Sequence, residues 1–252
     1  MPDARLRNDF AFRTQVILVF AVALAGGAMA QPRCSAESGA LRTPVIELYT
    51  SEGCSSCPPA DRWLSTLKDK SLVVQAFHVS YWDYMGWTDR FSSPAFNARH
   101  RELAKQQGAR FVYTPQIVRD GKDWRDYAGQ VPEAGERARV QIALQRVGVS
   151  DMYEARVNPL PGVARWSAYW TITEHGHVSK VKAGENNGSY LKHDFVVRQF
   201  VPMGTFDGPQ LLKLDAVPGQ PEHPRQINLV VTNAKTSAPL QALSLQCLAK
   251  SS

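Results

Sequence analysis

The chain has 252 residues, a formal net charge of +6 and a hydrophobic fraction of 44%. This length accommodates one large domain or two small ones, and the hydrophobic fraction is sufficient for a packed core. The basic residues form no block or stripe of the kind that nucleic-acid-binding proteins present, so binding to nucleic acid is not expected.

The first thirty residues have the pattern of a secretory signal peptide. Three arginines precede an uninterrupted apolar run at 16–25, and Ala28-Met29-Ala30 supplies a small-x-small cleavage site. The apolar run is shorter than the roughly 20 residues of a transmembrane helix, which disfavours the alternative of an uncleaved membrane anchor. Residues 1–30 therefore predict an exported protein, periplasmic or secreted, with no membrane association after the signal is cleaved.

Four cysteines follow the predicted signal, at positions 34, 54, 57 and 247. Export would place them in an oxidising compartment, where disulfides form and persist. Three pairings are possible, and the two-residue gap between Cys54 and Cys57 favours a pair between those two. Cys34 and Cys247 are then candidates for a structural disulfide, with two free thiols as the alternative.

The segment at 44–149 alternates between strand and helix patterns. The predicted elements are a strand at 45–50, a helix from Pro58-Pro59, a strand at 72–79, a helix from Ser93-Pro94 to Gly108, a strand at 116–119, a short strand at 126–128 and a helix at 132–146. The last helix is inferred from apolar residues at 140, 143, 144 and 147, which have the spacing of one helix face. This alternation predicts an α/β fold with a central mixed sheet flanked by helices.

Residues 150–252 have a different composition and read as mainly β. Strands are predicted at 164–172, 178–181, 195–200, 210–214 and 227–231. We therefore predict an N-terminal segment at 31–43, an α/β domain at 44–149, and a mainly β domain or extension at 150–252.

The Cys54-Ser55-Ser56-Cys57 motif lies between a predicted strand and the N-terminus of a predicted helix. The positive end of a helix dipole stabilises a thiolate, which is the nucleophile in disulfide exchange. We predict Cys54, at the more exposed end, as the nucleophile and Cys57 as the resolving thiol, with the serine hydroxyls available to the Cys54 sulfur. A strand–CxxC–helix context is typical of a thioredoxin-like domain.

Thr114-Pro115 opens the predicted strand at 116–119. In a thioredoxin-like fold a cis proline faces the cysteine pair, and the backbone before it pairs with substrate. Cis peptide bonds are essentially confined to X–Pro pairs. We therefore include Thr114 and Pro115 among the catalytic-site residues, with an ordinary trans proline as the alternative.

Residues 47–61, which read ELYTSEGCSSCPPAD, resemble the signature of an exported bacterial family catalogued as domain of unknown function 1223, a thioredoxin-like group. Stretches at 78–87, 112–116 and 184–198 match as well. The resemblance implies the thioredoxin-like fold and export, and it supplies no substrate. Ser80 stands where the family pattern has an acidic residue, and Phe206 where it has tryptophan.

Thioredoxin itself carries a buried aspartate six residues before its first cysteine, and that position is Leu48 here. Glu47 is adjacent, but alternation along a strand places it on the other sheet face. Asp83 is the remaining carboxylate nearby. His78 is interpreted as a hydrogen-bonded structural residue in preference to a base or a metal ligand.

Two further features leave their interpretation open. Trp82 and Trp87 either form an apolar docking rim around Cys54 or cover the core beneath a loop. The stretch from Gly184 to Gly188 lacks the lysine of a phosphate-binding loop and is interpreted as a structural turn.

The leading hypothesis is an exported thiol–disulfide oxidoreductase that acts on exported protein or small-molecule thiols and disulfides. One alternative is a Cu(I)-handling protein that uses the same cysteines, since soft thiolates favour Cu(I). Another is a non-catalytic thioredoxin-like binding module whose disulfide is structural. No cofactor and no resident metal ion are predicted, because a zinc site would need a second close pair of ligands.

Overall fold

A computed structural model describes residues 34–148 and 150–247. The predicted signal peptide at 1–30 lies outside these residues. The strands are β1 (Ser35–Glu37), β2 (Val45–Thr50), β3 (Val73–His78), β4 (Gln116–Arg119), β5 (Lys122–Asp123), β6 (Val140–Arg146), β7 (Met152–Pro159), β8 (Trp166–Glu174), β9 (His177–Lys180), β10 (Tyr190–His193), β11 (Val196–Phe206), β12 (Gln210–Asp215), β13 (Arg225–Asn233) and β14 (Pro239–Leu245). The helices are α1 (Pro58–Ser65), α2 (Pro94–Gln106) and a 3₁₀ helix (Asp83–Met85).

One eight-stranded sheet contains strands from both halves of the sequence. Its order is β14-β13-β8-β11-β3-β2-β4-β5, with β2 parallel to β3 and antiparallel to β4. The two halves join where β11 pairs in parallel with β3, at Val196 and Ala76. The sheet that carries the cysteine motif therefore continues directly into the C-terminal strands.

The two α-helices lie against opposite faces of strand β2. Leu48 packs with Trp63 and Leu64 of α1, whereas its neighbour Tyr49 packs with Phe96 of α2. Successive side chains of a strand point to opposite faces, so this alternation places each helix. All six residues of β2 are buried as a result.

The largest core lies between the eight-stranded sheet and a four-stranded sheet of order β1-β6-β7-β12. Trp166 and Trp170 of β8 contribute to it from the larger sheet, and Val140, Ile142 and Leu144 from the smaller one. A disulfide between Cys34 and Cys247 packs against the same core. This disulfide joins the first and last described residues of the chain. Of the two alternatives left open by the sequence, a structural disulfide and two free thiols, the structure has the first.

The predicted helix at 132–146 is wrong, because residues 140–146 form strand β6. Val140, Ile142 and Leu144 are buried while Gln141 and Gln145 are exposed, which is the period of two expected for a strand with one buried face. The helical spacing at 140, 143, 144 and 147 was a competing pattern in the same residues. Pairing of β6 with β1 and β7 decided between them.

The predicted α/β thioredoxin-like fold class is also wrong, because the described chain is mainly β. It has fourteen strands in three sheets and only two α-helices among the described residues. The hairpin strand expected at 126–128 is instead the two-residue β5. The domain boundaries at 43/44 and 149/150 stay predictions. Among the described residues, no helix is long and apolar enough to cross a membrane.

Candidate functional site

Residues 51–57, here called the cysteine loop, lie between the end of β2 and the first residue of α1. Cys54 and Cys57 form a disulfide, and Cys57 is the N-cap of the helix. Pro58 and Pro59 occupy the first helical positions, where the missing N–H groups cost no intrahelical hydrogen bond. A strand, a tight cysteine loop and a proline-initiated helix therefore occur as predicted.

Both cysteines are buried, with exposed fractions of 1% for Cys54 and 0% for Cys57. Cys54, predicted at the more exposed end of the motif, is thus as inaccessible as Cys57, although Ser55 and Ser56 between them are exposed. The hydroxyl of Ser56 lies 3.4 Å from the Cys54 sulfur and donates to it. One of the two serines is thus placed to stabilise negative charge on that sulfur.

The loop from Gly184 to Gly188, here called the 184–188 loop, braces the cysteine loop from the C-terminal half of the chain. The side-chain amide of Asn186 donates to the carbonyl oxygens of Glu52, at 2.8 Å, and Cys54, at 3.0 Å. The carboxylate of Glu185 accepts from the backbone N–H of Ser55 at 3.1 Å. Hydrogen bonds from Ser55 lower the pKa of Glu185 below its ordinary value. The segment interpreted as a structural turn is therefore a direct neighbour of the cysteines.

Trp82 connects the cysteine loop to the predicted proline. The Thr114–Pro115 peptide bond is cis, as predicted. The indole N–H of Trp82 donates to the Thr114 hydroxyl at 2.7 Å. A Cβ atom on Gly53 would lie 3.0 Å from the Cβ of Trp82, so a larger residue there would push the two segments apart. Tyr84, which is 77% exposed, stacks on Trp82 at the surface.

Trp87 and Asp83 have contacts of their own. The indole N–H of Trp87 donates to a carboxylate oxygen of Glu52 at 2.7 Å. Asp83 accepts from the backbone N–H of Asp89 at 3.2 Å. Burial raises the pKa of Asp83, and the negative charges of Asp89 and Glu52 raise it further. Both residues therefore belong to one polar network around the cysteine loop.

That network continues into a buried cluster of carboxylates and imidazoles. His78 Nδ1 lies 2.7 Å from an Asp89 carboxylate oxygen, and neither side chain is exposed. His193 lies between Glu52, at 3.3 Å from its Nε2, and Asp61, at 3.8 Å from its Nδ1. The expectation that His78 is hydrogen-bonded is met.

The pKa values of this cluster follow from its ion pairs. Burial alone lowers the pKa of His193, but interactions with the nearby carboxylates of Asp61 and Glu52 outweigh it and raise that pKa to about 9. Burial raises the pKa of Glu52, but its interaction with His193 contributes to a net lowering. The sequence offered no signal for His193, because the residues around it lie in separate segments of the chain.

The carboxylate of Glu47 is on the opposite sheet face, as predicted. It accepts hydrogen bonds from the hydroxyls of Tyr49, at 2.9 Å, and Tyr169, at 2.8 Å, and it pairs with Arg99 of α2. Glu47 is therefore held away from the cysteines by partners that satisfy its charge.

The fold and the site define a mainly β protein that carries a buried CxxC disulfide at the start of a short helix. Two solved structures share this fold. The protein AGR_C_4864 from Agrobacterium tumefaciens is 22% identical, with a TM-score of 0.59 over 82% of this chain and 96% of that one. HBP35 of Porphyromonas gingivalis is 14% identical, with a TM-score of 0.58 over 82% of this chain and 75% of that one.

The particular family follows from the sequence. The family described as protein of unknown function DUF1223 matches residues 45–232, and the chain belongs to it. No curated protein matches the chain. The predicted family membership is therefore confirmed.

Proposed function

We propose that the protein is an exported thiol–disulfide oxidoreductase in which Cys54 is the nucleophile and Cys57 the resolving thiol. The observation that carries the proposal is the Cys54–Cys57 disulfide at the N-terminus of α1. The positive end of the helix dipole and the Ser56 hydroxyl favour a thiolate at Cys54 in the reduced protein. Pro58 and Pro59 have no N–H groups that could donate to the sulfur. Stabilisation of the Cys54 thiolate therefore depends on the helix dipole and on the Ser56 hydroxyl.

The reaction is a pair of thiol–disulfide exchanges. The Cys54 thiolate attacks a disulfide of the substrate, forms a mixed disulfide and releases one substrate thiolate. The Cys57 thiol loses its proton and attacks Cys54, which releases the second substrate thiolate and restores the Cys54–Cys57 disulfide. Substrate is reduced and the protein oxidised by two electrons; the opposite direction follows when the partner is a dithiol.

Residues around the disulfide have separate roles in this proposal. The cis Pro115 and the preceding Thr114 would position the substrate backbone, with Trp82 fixing Thr114 through its hydrogen bond. Since Cys54 is 1% exposed, exchange requires a local opening that exposes its sulfur. The partners are exported protein or small-molecule thiols and disulfides. The two disulfides among the described residues support a periplasmic or secreted location.

The burial of both cysteines favours one alternative function, a non-catalytic binding module with a structural disulfide. A redox titration of Cys54–Cys57, with Cys34–Cys247 intact, distinguishes the two. Exchangers have potentials of roughly −120 to −270 mV, whereas structural disulfides lie below about −300 mV. A potential in the first range supports the oxidoreductase, and one in the second range supports the module.

A trapping experiment tests the nucleophile directly. Cys57→Ser leaves Cys54 without its resolving thiol, so mixed disulfides with exported proteins should accumulate. The matched control is Cys54→Ser with Cys57 retained, which should trap much less. Equal trapping by both variants would refute the assignment of Cys54, and no trapping by either would count against catalysis.

A further inference from the structure

Asp61, His78 and His193 form a buried cluster of potential metal ligands near the cysteine loop. One potential ligand atom from each lies within 4.8 Å of the other two. The three residues come from α1, the end of β3 and the end of β10, and their exposed fractions are 7%, 0% and 3%. The two imidazole rings are nearly perpendicular, with centroids 4.9 Å apart.

The inward atoms of this cluster lack hydrogen-bond partners. His78 Nε2 has none, and neither has His193 Nδ1, which lies 3.8 Å from the Asp61 carboxylate. Leaving a buried polar atom unsatisfied costs about 1–3 kcal/mol, more for charged groups, and such atoms in folded proteins need an explanation. Potential ligand atoms that converge without other partners are the arrangement of a cation site.

The other polar atoms of these three side chains face neighbouring side chains. His78 Nδ1 pairs with Asp89 at 2.7 Å, and His193 Nε2 faces Glu52 at 3.3 Å. The second oxygen of Asp61 accepts from the Thr50 hydroxyl at 3.0 Å. Histidines that bind a metal almost always donate their other N–H to a carboxylate, carbonyl or water, which fixes the tautomer and the ring orientation. His78 has that arrangement through Asp89, and His193 Nε2 has a carboxylate, that of Glu52, on the corresponding side without hydrogen-bonding geometry.

We propose that Asp61, His78 and His193 bind one divalent transition-metal ion, with Zn²⁺ as the best match. The ligand atoms are Asp61 Oδ1, His78 Nε2 and His193 Nδ1. Two imidazoles and one carboxylate are a donor set of known zinc sites, which leave a fourth position open. The three carboxylates of Glu52, Asp61 and Asp89 are all buried, and a divalent cation that displaces the proton of His193 on binding compensates their charge.

This site is separate from the Cu(I) alternative considered for the cysteines. Cys54 and Cys57 are joined in a disulfide and contribute no thiolate to the proposed zinc site. The ligands are nitrogen and oxygen atoms, which suit zinc better than Cu(I). The proposal therefore stands whether or not the cysteine pair is catalytic.

Metal content and direct titration test the proposal with both disulfides oxidised, so that no thiol competes. Mature protein expressed with added zinc should contain about one equivalent of Zn²⁺ by elemental mass spectrometry. After chelation, Co²⁺ should bind with the same stoichiometry and produce the visible absorption of a low-symmetry cobalt site. If chelation instead unfolds the protein and Zn²⁺ restores the fold, that result also supports a bound ion.

Substitutions test whether these residues, and not others in the chain, bind the metal. His78→Gln and His193→Gln should each lower the zinc content at least tenfold. His100→Gln is the matched control, because His100 is also a buried histidine but bonds to Gln116. The proposal is overturned if folded wild-type protein holds no Zn²⁺ or Co²⁺, as isolated or after reconstitution. It is equally overturned if both ligand variants fold and retain the metal.

Discussion

Asn186 Nδ2 donates a hydrogen bond of 3.0 Å to the carbonyl oxygen of Cys54, a residue 132 positions earlier in the chain. The same nitrogen donates to the carbonyl oxygen of Glu52. The backbone conformation of the cysteine loop therefore depends on a side chain from the C-terminal half. This contact makes the 184–188 loop part of the candidate site.

Asn186→Ala should loosen the cysteine loop. Two buried hydrogen bonds are lost, each with a net contribution of about 0.5–1.5 kcal/mol, so the free energy of unfolding should fall by about 1–3 kcal/mol. The rate at which a phosphine reduces Cys54–Cys57 should rise, because the loop opens more often. Asn187→Ala changes an exposed neighbour and should leave both quantities nearly unchanged. Equal effects of the two variants would contradict the role of Asn186.

Ser56→Ala should make reduced Cys54 less reactive. In a Cys57→Ser background, the loss of one hydrogen bond to the sulfur corresponds to about a two- to tenfold slower alkylation at neutral pH. Ser55→Ala is the control, because among these two serines only Ser56 contacts the Cys54 sulfur. A slower reaction in the Ser55 variant alone would show that the stabilising hydroxyl has been assigned to the wrong serine.

The hydrogen bond between Glu185 and Ser55 should weaken at acidic pH. The pKa of Glu185 is lowered in the folded protein, so its contribution is complete above the ordinary glutamate pKa and is lost as pH falls through the lowered value. The amide resonance of Ser55 in NMR spectra should shift in that acidic range. In Glu185→Gln the same shift should be absent; if it persists, another group titrates there.

Cys34→Ser, combined with Cys247→Ser, should lower stability and leave exchange at Cys54 intact. Removing a native disulfide typically costs about 2–5 kcal/mol, and this one closes a loop with a sequence separation of 213. Chemical denaturation under oxidising conditions measures the loss, and the redox titration of Cys54–Cys57 serves as the functional readout. Unchanged stability, or a shifted potential, would refute a purely structural disulfide.

Local patterns predicted the elements around the cysteines well. The buried strand at 45–50 and the helix opened by Ser93 and Pro94 have the predicted positions, and Ser93 accepts from the backbone N–H of Ala95. Each depends on residues within a few positions of one another. The helix predicted at 132–146 failed because two periodicities coexist there, and partner strands selected the period of two.

The sequence by itself determined the CxxC motif, the proline that begins α1 and the family, because each is encoded by adjacent residues. Only the tertiary structure decided the mainly β fold and the burial of Cys54. It alone also brought Asn186 to the cysteine loop and His193 to Asp61 and Glu52. These contacts join residues more than a hundred positions apart, and sheet pairing between the two halves of the chain creates them.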